Sequence, residues 1–115
     1  MVKKVSDLVK ESGGLVYLAE GCCTDAQVSS VEYDSRMVTA GCLFVAVEGF
    51  ESDGHAYVRA AVDKGCVAVL VSGGKVNDFL DLTERGIAVI VGHNTRRALS
   101  VLSASFYGNP SRSLH

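Results

Sequence analysis

The sequence lacks the features of several large protein classes. No apolar stretch approaches the ~20 residues that a membrane span requires, and the first residues contain no apolar segment of the kind found in signal peptides. Lysine and arginine are scattered, and the densest pairs, Lys3-Lys4 and Arg96-Arg97, are interpreted as solvated helix faces. With a net charge of −2, the chain shows no clustered basic surface for nucleic acid. We therefore expect neither a membrane nor a nucleic acid as a partner.

The four cysteines do not have the spacing of a metal or disulfide site. Cys22 and Cys23 are adjacent and no Cys-x-x-Cys pair occurs, which argues against a zinc knuckle and against a simple disulfide. Cys42 and Cys66 stand beside apolar strand residues, where cysteine acts as a small hydrophobe. These features predict structural cysteines in a reducing compartment, so we expect a cytoplasmic protein.

Recognisable catalytic patterns are also missing. The sequence has no Gly-x-Ser-x-Gly elbow, no His-Glu-x-x-His metal pair and no Gly-x-x-x-x-Gly-Lys-Thr phosphate loop. His55 and His93 have no cysteine partner at zinc spacing, and no carboxylate pair is placed for acid–base catalysis. The sequence therefore predicts no catalytic residue, no metal site and no cofactor site within this chain.

The apolar residues that are present predict one α/β domain. The chain has 115 residues, which is enough for one substantial core. In its second half, unbroken apolar runs at residues 42–47, 67–71 and 87–91 alternate with helical segments. Such runs are typical of strands buried on both faces. The alternation predicts a mixed, mostly parallel sheet flanked by helices.

Each predicted helix in this half has a start or stop signal and an apolar stripe. The first is capped by Ser52 or Asp53 and ended by Lys64-Gly65, and the last is capped by Asn94 or Thr95. A short helix is predicted between them, over residues 76–84. The apolar positions keep helical spacing: Tyr57, Val58, Ala61 and Val62 in the first helix, Val76, Phe79, Leu80 and Leu82 in the second, and Ala98, Leu99, Val101, Leu102 and Phe106 in the third.

The first third of the chain is expected to add one helix and two strands. Ser6 is the predicted cap of a short helix that runs to about Glu11, and Gly13-Gly14 ends it. Residues 15–19 and 28–33 have the composition of strands. Because these two strands are close in sequence, we expect them to add antiparallel edges to the sheet.

Polar residues follow three predicted strands, at the positions where ligands usually bind in an open α/β sheet. The first junction is Asp34-Ser35-Arg36, whose hydroxyl and guanidinium can contact a phosphate or a ribose. The alternative is a plain turn in which Arg36 pairs with Asp34. The third junction, residues 92–96, is interpreted as a capped helix start.

The second junction, residues 49–55, is a polar loop that enters a helix. Gly49 and Gly54 permit backbone conformations that other residues resist. Free N–H groups at a helix start can bind a phosphate or the edge of a base. Because Glu51 and Asp53 would repel a phosphate, a neutral ring is the favoured ligand, and an ordinary capped loop is the alternative.

Four motifs occur in the order found in a known enzyme family. They are Tyr33-Asp34-Ser35-Arg36, the Gly-Cys-Leu-Phe-Val-Ala-Val-Glu-Gly run from Gly41, Asp53-Gly54-His55-x-Tyr57, and the Ala-Val-x-x-Gly-Cys-Val-Ala-Val run from Ala61. In this order the chain resembles the N-terminal domain of the Mur ligases over roughly residues 28–110. Within that family it is most similar to the ligase that adds the third residue of the peptidoglycan stem peptide. The Phe-Tyr-Gly-Asn-Pro-Ser segment from Phe106 resembles the approach to that family's ATP-binding domain.

The resemblance implies a three-domain, ATP-dependent ligase of which this chain is one part. Residues 1–107 would form the N-terminal domain that binds the UDP substrate, and residues 108–115 would begin the linker to an absent ATP-binding domain. ATP and Mg²⁺ would bind that central domain, and a third domain would bind the incoming amino acid. The implied partners are UDP-N-acetylmuramoyl-L-alanyl-D-glutamate and the two missing domains. This fragment alone is expected to be inactive and to bind no cofactor.

The resemblance also implies which residues contact the UDP part of the substrate. Tyr33 and Ser35 would do so from the first turn. Phe50, Glu51 and Ser52 would do so from the second loop, through backbone groups. Asp34 and Arg36 match the motif and are assigned to shaping the turn.

Two other functional interpretations are consistent with the same motifs. One is the equivalent domain of the related ligase that adds D-alanyl-D-alanine, which carries a similar Asp-Ser-Arg and Gly-x-Leu-Phe-Val-Ala pattern. The other is a regulatory or scaffold domain of similar fold that binds no ligand. The Phe-Tyr-Gly-Asn-Pro-Ser ending favours the ligase that adds the third residue.

Overall fold

A five-stranded sheet with helices on both faces forms the centre of the molecule. The computed structural model of the chain describes residues 3–19, 26–47 and 54–107. The strands are β1 (Lys3–Lys4), β2 (Val16–Leu18), β3 (Gln27–Val28), β4 (Ser30–Glu32), β5 (Cys42–Val45), β6 (Ala68–Ser72) and β7 (Ala88–Gly92). The α-helices are α1 (Val5–Glu11), α2 (Val58–Asp63) and α3 (Thr95–Tyr107).

The strand order of the main sheet is β2-β7-β6-β5-β4. The four strands from β4 to β7 are parallel, and β2 joins β7 in the antiparallel direction. A separate two-stranded antiparallel sheet pairs β1 with β3. The predicted mixed, mostly parallel sheet is therefore confirmed. Of the two early strands, only β2 adds an antiparallel edge to it, because β4 runs parallel to β5.

The central strands are buried on both faces, as their unbroken apolar sequences predict. Every residue of β5, β6 and β7 is buried. Their side chains alternate between two apolar clusters, one on each face of the sheet. One cluster contains Phe44, Val69 and Val89 with residues of α2, and the other contains Leu43, Leu70 and Ile90 with residues of α1 and α3. The sheet thus forms the middle layer of three.

Helix α3 packs on the sheet through the stripe that the sequence predicts. Ala98, Leu102 and Phe106 repeat every four residues and are almost completely buried. The helix start is capped by Asn94, because the Arg97 amide donates to Asn94 Oδ1 at 3.0 Å. At the far end, the Ser105 hydroxyl donates to a carboxylate oxygen of Glu11 and so links α3 to α1.

Two predictions about the first third of the chain are wrong in detail. Ser6 does not cap α1: the cap position is Lys4, which has no side-chain cap bond, and the helix begins at Val5. Val5 is fully buried and its amide donates to Ala26 O at 2.9 Å, so tertiary contacts fix this start. The strand predicted over residues 28–33 is split at Ser29, whose amide bonds Gly41 O instead.

The helix predictions on the other face are also corrected. Residues Gly54–Tyr57 form a 3₁₀ turn, and α2 begins only at Val58. Tyr57 is 44% exposed and does not belong to the apolar stripe. In place of one helix over residues 76–84 there are two 3₁₀ segments, Val76–Asp78 and Leu80–Arg85. Phe79 and Leu82 still pack into the core, while Leu80 is exposed.

Cys42 and Cys66 are buried small hydrophobes at the amino-terminal edge of the sheet, as predicted. The hydrogen bond between the two thiols and their burial raise the pKa of the Cys66 thiol. Cys22 and Cys23 lie outside the described residues. Within the described part of the chain, no helix combines the length and the apolar character needed to cross a membrane.

Candidate functional site

The first two predicted junctions follow β4 and β5, which are neighbouring parallel strands. Glu32, the last residue of β4, pairs with Phe44 of β5, so the turn at Tyr33 begins beside the end of β5. The third junction follows β7, and β6 lies between β7 and β5. Ligands in open α/β sheets bind outside this edge. We call the residues that follow β4, β5, β6 and β7 at this edge the carboxyl edge.

The first junction is a tight turn closed by an ion pair. The Arg36 amide donates to Asp34 Oδ1 at 2.9 Å, and the Met37 amide donates to Asp34 O at 2.8 Å. The Arg36 guanidinium meets the same carboxylate through Nε at 3.1 Å and Nη2 at 2.8 Å. A single side chain therefore satisfies both the backbone and the charge of the turn. This geometry agrees with the assignment of Asp34 and Arg36 to shaping the turn.

The ion pair also keeps the carboxyl group of Asp34 ionised. Hydrogen bonds from the side chain and the backbone of Arg36 lower the pKa of Asp34 to about 2. The same contact raises the pKa of Arg36. The carboxylate of Asp34 therefore stays ionised near neutral pH and is bonded to Arg36.

The predicted contact residues of this turn lie at the mouth of the sheet. Tyr33 is 64% exposed, so its ring is available to an incoming ligand. Ser35 begins a 3₁₀ turn that spans Ser35–Met37, directly after the pinned carboxylate. The other three predicted contacts, Phe50, Glu51 and Ser52, lie outside the described residues.

Gly54, in the second junction, lies directly beside the end of β5. The Gly54 amide donates to Val47 O at 2.9 Å. A Cβ atom at Gly54 would lie 2.7 Å from Val47 N and 2.9 Å from Val47 O, so the backbones approach too closely for any side chain. Because α2 has six residues and begins at Val58, no long helix points its amino-terminal dipole at this junction.

His55 connects this junction to the end of β6. Its side chain is buried, and Nε2 accepts a hydrogen bond from the Ser72 amide at 2.9 Å. A nitrogen that accepts carries no proton, so the neutral ring holds its proton on Nδ1. From the sequence, His55 is considered only as a possible zinc ligand, and its contact with the Ser72 amide is not predicted. The sequence carries no signal for it, since the partner is a backbone amide 17 residues away.

The ring of His55 also packs against an aromatic side chain. Phe79 stacks on His55 with the ring centroids 6.0 Å apart and the planes at 27°. The Arg59 guanidinium lies 5.6 Å from the centroid of Phe79. Arg59 is itself fixed by a bidentate pair with Asp81, with both N–O distances at 2.9 Å. These contacts link α2, the 3₁₀ segments and the carboxyl edge.

The third junction is a capped helix start, as the sequence predicts. Asn94 caps α3, and Thr95 is buried in its first turn. His93 is exposed and lies beside the end of β6, because a Cβ atom added at Gly73 would be 4.0 Å from His93 Nδ1. The junction therefore belongs to the same edge as the first two, with β6 and β5 between it and the Tyr33 turn.

The carboxyl edge has the chemistry of a binding surface. Its described groups are a charge-paired turn, an exposed phenol ring, backbone amides and a buried imidazole engaged with the backbone. Across residues 3–19, 26–47 and 54–107, no three His, Cys, Asp or Glu side chains converge as a set of metal ligands. Such groups suit recognition of a polar ring better than proton transfer.

Comparison with known proteins agrees with this fold. Residues 27–110 match the family model described as "Mur ligase family, catalytic domain". The UDP-N-acetylmuramoyl-L-alanyl-D-glutamate--2,6-diaminopimelate ligase of Bacillus licheniformis is 39% identical over 90 residues. That match takes in 78% of this chain and 17% of the relative. The chain thus spans about a sixth of the length of this curated relative.

Solved structures share the fold of the chain. A crystal structure of MurF from Acinetobacter baumannii superposes with a TM-score of 0.69 at 24% identity, over 90% of this chain and 21% of that one. The UDP-N-acetylmuramoylalanyl-D-glutamyl-2,6-diaminopimelate--D-alanyl-D-alanyl ligase of the same organism gives a TM-score of 0.62 at 22% identity, over 88% and 20%. The sheet with its flanking helices is therefore of the Mur ligase N-terminal domain type. Since the family model matches most of the sequence, the chain belongs to the Mur ligase family.

Proposed function

We propose that this chain is the N-terminal domain of an ATP-dependent ligase that adds the third residue of the peptidoglycan stem peptide. In this role it binds the UDP part of UDP-N-acetylmuramoyl-L-alanyl-D-glutamate. The parent enzyme works in the cytoplasm and forms an amide bond, whereas this fragment contributes substrate binding and no chemistry. Residues 1–107 form the binding domain, and residues 108–115 begin the linker to the next domain.

One observation supports the binding role above the others. The Tyr33 turn follows β4, and Val47 and Gly54 lie at the end of the neighbouring strand β5, so the described parts of both junctions belong to the carboxyl edge. Asp34 and Arg36 hold the backbone of the turn, and the Tyr33 ring beside them is exposed. An exposed aromatic ring at the carboxyl edge suits a uracil base, which presents a flat face on which the ring can stack.

The proposed contacts are divided between the two junctions. Tyr33 and Ser35 contact the nucleotide from the turn after β4. Phe50, Glu51 and Ser52 contribute backbone groups from the loop after β5. In this proposal no charged side chain binds the base. Asp34 and Arg36, the charged residues of the turn, are paired with each other.

ATP and Mg²⁺ are assigned to a domain beyond this chain. The residues present do not fit them: the sequence has no phosphate loop, and the described part offers no cluster of metal ligands. The chain accordingly has no group that we assign to the acyl-phosphate chemistry of the parent enzyme. Its partners in that enzyme are the ATP-binding domain and the domain for the incoming amino acid.

Titration of the isotope-labelled chain with UDP tests the proposal. We expect weak, saturable binding, with amide shifts concentrated at residues 33–36 and 49–54. UDP-N-acetylmuramoyl-L-alanyl-D-glutamate is expected to shift the same amides. Shifts elsewhere, or none at millimolar UDP, would refute the assignment and favour a scaffold domain without a ligand.

Replacement of Ser35 tests the contact within the turn. If its hydroxyl bonds the nucleotide, Ser35→Ala weakens UDP binding by about 0.5–1.5 kcal/mol with little change in stability. Ser100→Ala is the matched control, because Ser100 is an exposed residue of α3 far along the chain from the turn. Equal affinity of both variants and the wild type would restrict Ser35 to a role in the turn.

The D-alanyl-D-alanine-adding ligase is the second candidate, because the two solved structures compared above bear the names MurF and D-alanyl-D-alanyl ligase. Both candidates use the same kind of UDP site, so UDP binding does not separate them. The two enzymes differ in the peptide that their nucleotide substrate carries. Amide-bond formation by the full-length protein, assayed with the dipeptide and then with the tripeptide nucleotide, distinguishes them.

A further inference from the structure

His55 connects the ends of β5 and β6 beyond the last backbone hydrogen bond described between these strands. The Ala46 amide donates to Leu70 O at 2.9 Å and continues the β5–β6 ladder one residue past β5. Beyond that point, the Ser72 amide at the end of β6 bonds the His55 ring. Gly54, the residue before His55, bonds Val47 O after β5. The pair Gly54-His55 therefore ties the end of β5 to the end of β6.

Burial and stacking hold the imidazole in the orientation that this link requires. His55 is 6% exposed, and its ring lies against Phe79. Phe79 is fixed in turn by Arg59, which the bidentate contact with Asp81 anchors. A side chain that is buried and packed against another ring holds its acceptor atom, here Nε2, in one direction. Precise binding sites depend on such support.

The position of this link relative to the Tyr33 turn gives it a functional consequence. β5 lies between β4, which carries the turn, and β6, which carries Ser72. The His55 bond therefore helps to set where Val47 and Gly54 lie at the end of β5, the strand next to the one that leads into the Tyr33 turn. A shift of about 1 Å in such a support is enough to weaken a site built from backbone groups.

We propose that His55 is a positioning residue for nucleotide binding, acting through its bond to the Ser72 amide and without touching the ligand. This inference rests on the proposed function of the carboxyl edge. It assigns to the histidine a role in affinity beyond filling space in the core. It also predicts that the acceptor atom matters more than the volume of the side chain.

Two variants of similar polarity separate these roles. The amide oxygen of Gln reaches the position of Nε2 and can accept the Ser72 bond, whereas the shorter Asn reaches only the position of Nδ1. We expect His55→Gln to retain UDP affinity within about threefold and His55→Asn to lose about tenfold. If His55→Asn fails to fold, His55→Phe replaces it, since Phe keeps a ring but accepts no hydrogen bond.

Each outcome of this experiment decides the matter. The positioning role is supported if His55→Gln retains UDP affinity and His55→Asn or His55→Phe loses it. The Ser72 amide should then keep its wild-type chemical shift in His55→Gln only. Equal affinities in all variants, or equal losses in Gln and Asn, overturn it and leave a packing role. Absence of UDP binding by the wild-type chain refutes the proposed function, and the role of His55 in ligand affinity falls with it.

Discussion

The backbones of Val47 and Gly54 meet so closely that no side chain fits between them. The Gly54 amide lies 2.9 Å from Val47 O, and a Cβ atom at Gly54 would lie 2.7 Å from Val47 N. Gly54→Ala must therefore push apart two backbone segments at the carboxyl edge. We expect a loss of roughly 1–3 kcal/mol in the free energy of unfolding, measured by urea denaturation.

Gly74→Ala is the matched control for this substitution. A Cβ atom at Gly74 meets nothing within 4 Å, and the residue lies in the turn after β6. Its free energy of unfolding is expected to stay within about 0.5 kcal/mol of the wild type. Similar losses in the two variants would mean that the close contact at Val47 is not what restricts Gly54.

The Asp34–Arg36 pair predicts a change in stability at acidic pH. The folded-state pKa of Asp34 is about 2, against an ordinary value of 3.8, so the pair stabilises the fold fully above the ordinary value. This contribution is lost as the pH falls through 3.8 towards 2. In Arg36→Gln the pKa of Asp34 should rise towards 3.8, as a carboxyl-carbon NMR titration can measure. The stability difference between wild type and variant should vanish near pH 2.

Arg85→Gln serves as the control for this titration. Arg85 lies 4.0 Å from Asp63, with both side chains largely exposed, and it is far from the Tyr33 turn in sequence. The pKa of Asp34 should therefore be the same in Arg85→Gln as in the wild type. If Arg36→Gln also leaves it unchanged, the ion pair does not cause the low value.

Loss of the α3 cap predicts a moderate destabilisation. Asn94 Oδ1 accepts the Arg97 amide at the helix start, so Asn94→Ala leaves that donor without its partner. We expect Asn94→Ala to lose about 0.5–2 kcal/mol in the free energy of unfolding. Asn94→Asp should keep most of the wild-type stability, because Asp is also a good cap residue. Asn77→Ala, at an exposed position of a 3₁₀ segment, should be nearly neutral. The cap assignment is wrong if Asn94→Ala and Asn77→Ala behave alike.

The buried thiols predict selective resistance to alkylation. Cys42 and Cys66 are almost completely buried, and the pKa of Cys66 is raised. Burial keeps the reagent away from both thiols, and the raised pKa also keeps Cys66 out of its reactive thiolate form, so iodoacetamide should leave both residues unmodified in the native protein and modify both in urea. Peptide mapping by mass spectrometry gives the result for each cysteine. Rapid modification of Cys66 in the native protein would contradict the packing of this edge.

The sequence predicts the core of the fold because the central strands depend on local pattern. The apolar runs that became β5, β6 and β7 have no polar alternation, and burial on both faces is the arrangement that suits them. The apolar repeat of α3 likewise predicts its buried face. Prediction fails where contacts distant in sequence decide the structure. Val5 starts α1 because it bonds Ala26, and Ser29 interrupts the strand because it bonds Gly41.

The candidate site shows the same division. The Asp34–Arg36 turn involves neighbours in sequence and was among the alternatives that the sequence offered. The bond between His55 and the Ser72 amide joins distant segments through a backbone group that every residue except proline carries. No pattern of side chains marks such a partner, so only the folded arrangement of β5 and β6 identifies it.

The antiparallel pairing of β2 with β7 has a consequence for synthesis on the ribosome. Val16 pairs with Gly92, and Leu18 pairs with Ile90, so the first strand of this sheet to be translated has the last one as its partner. Until β7 emerges from the exit tunnel, β2 has no neighbour in the sheet, while β4, β5 and β6 can already associate in translation order. The β2–β7 edge of the sheet therefore forms last during synthesis. Completion of the fold requires a contact between residues that are separated by most of the polypeptide.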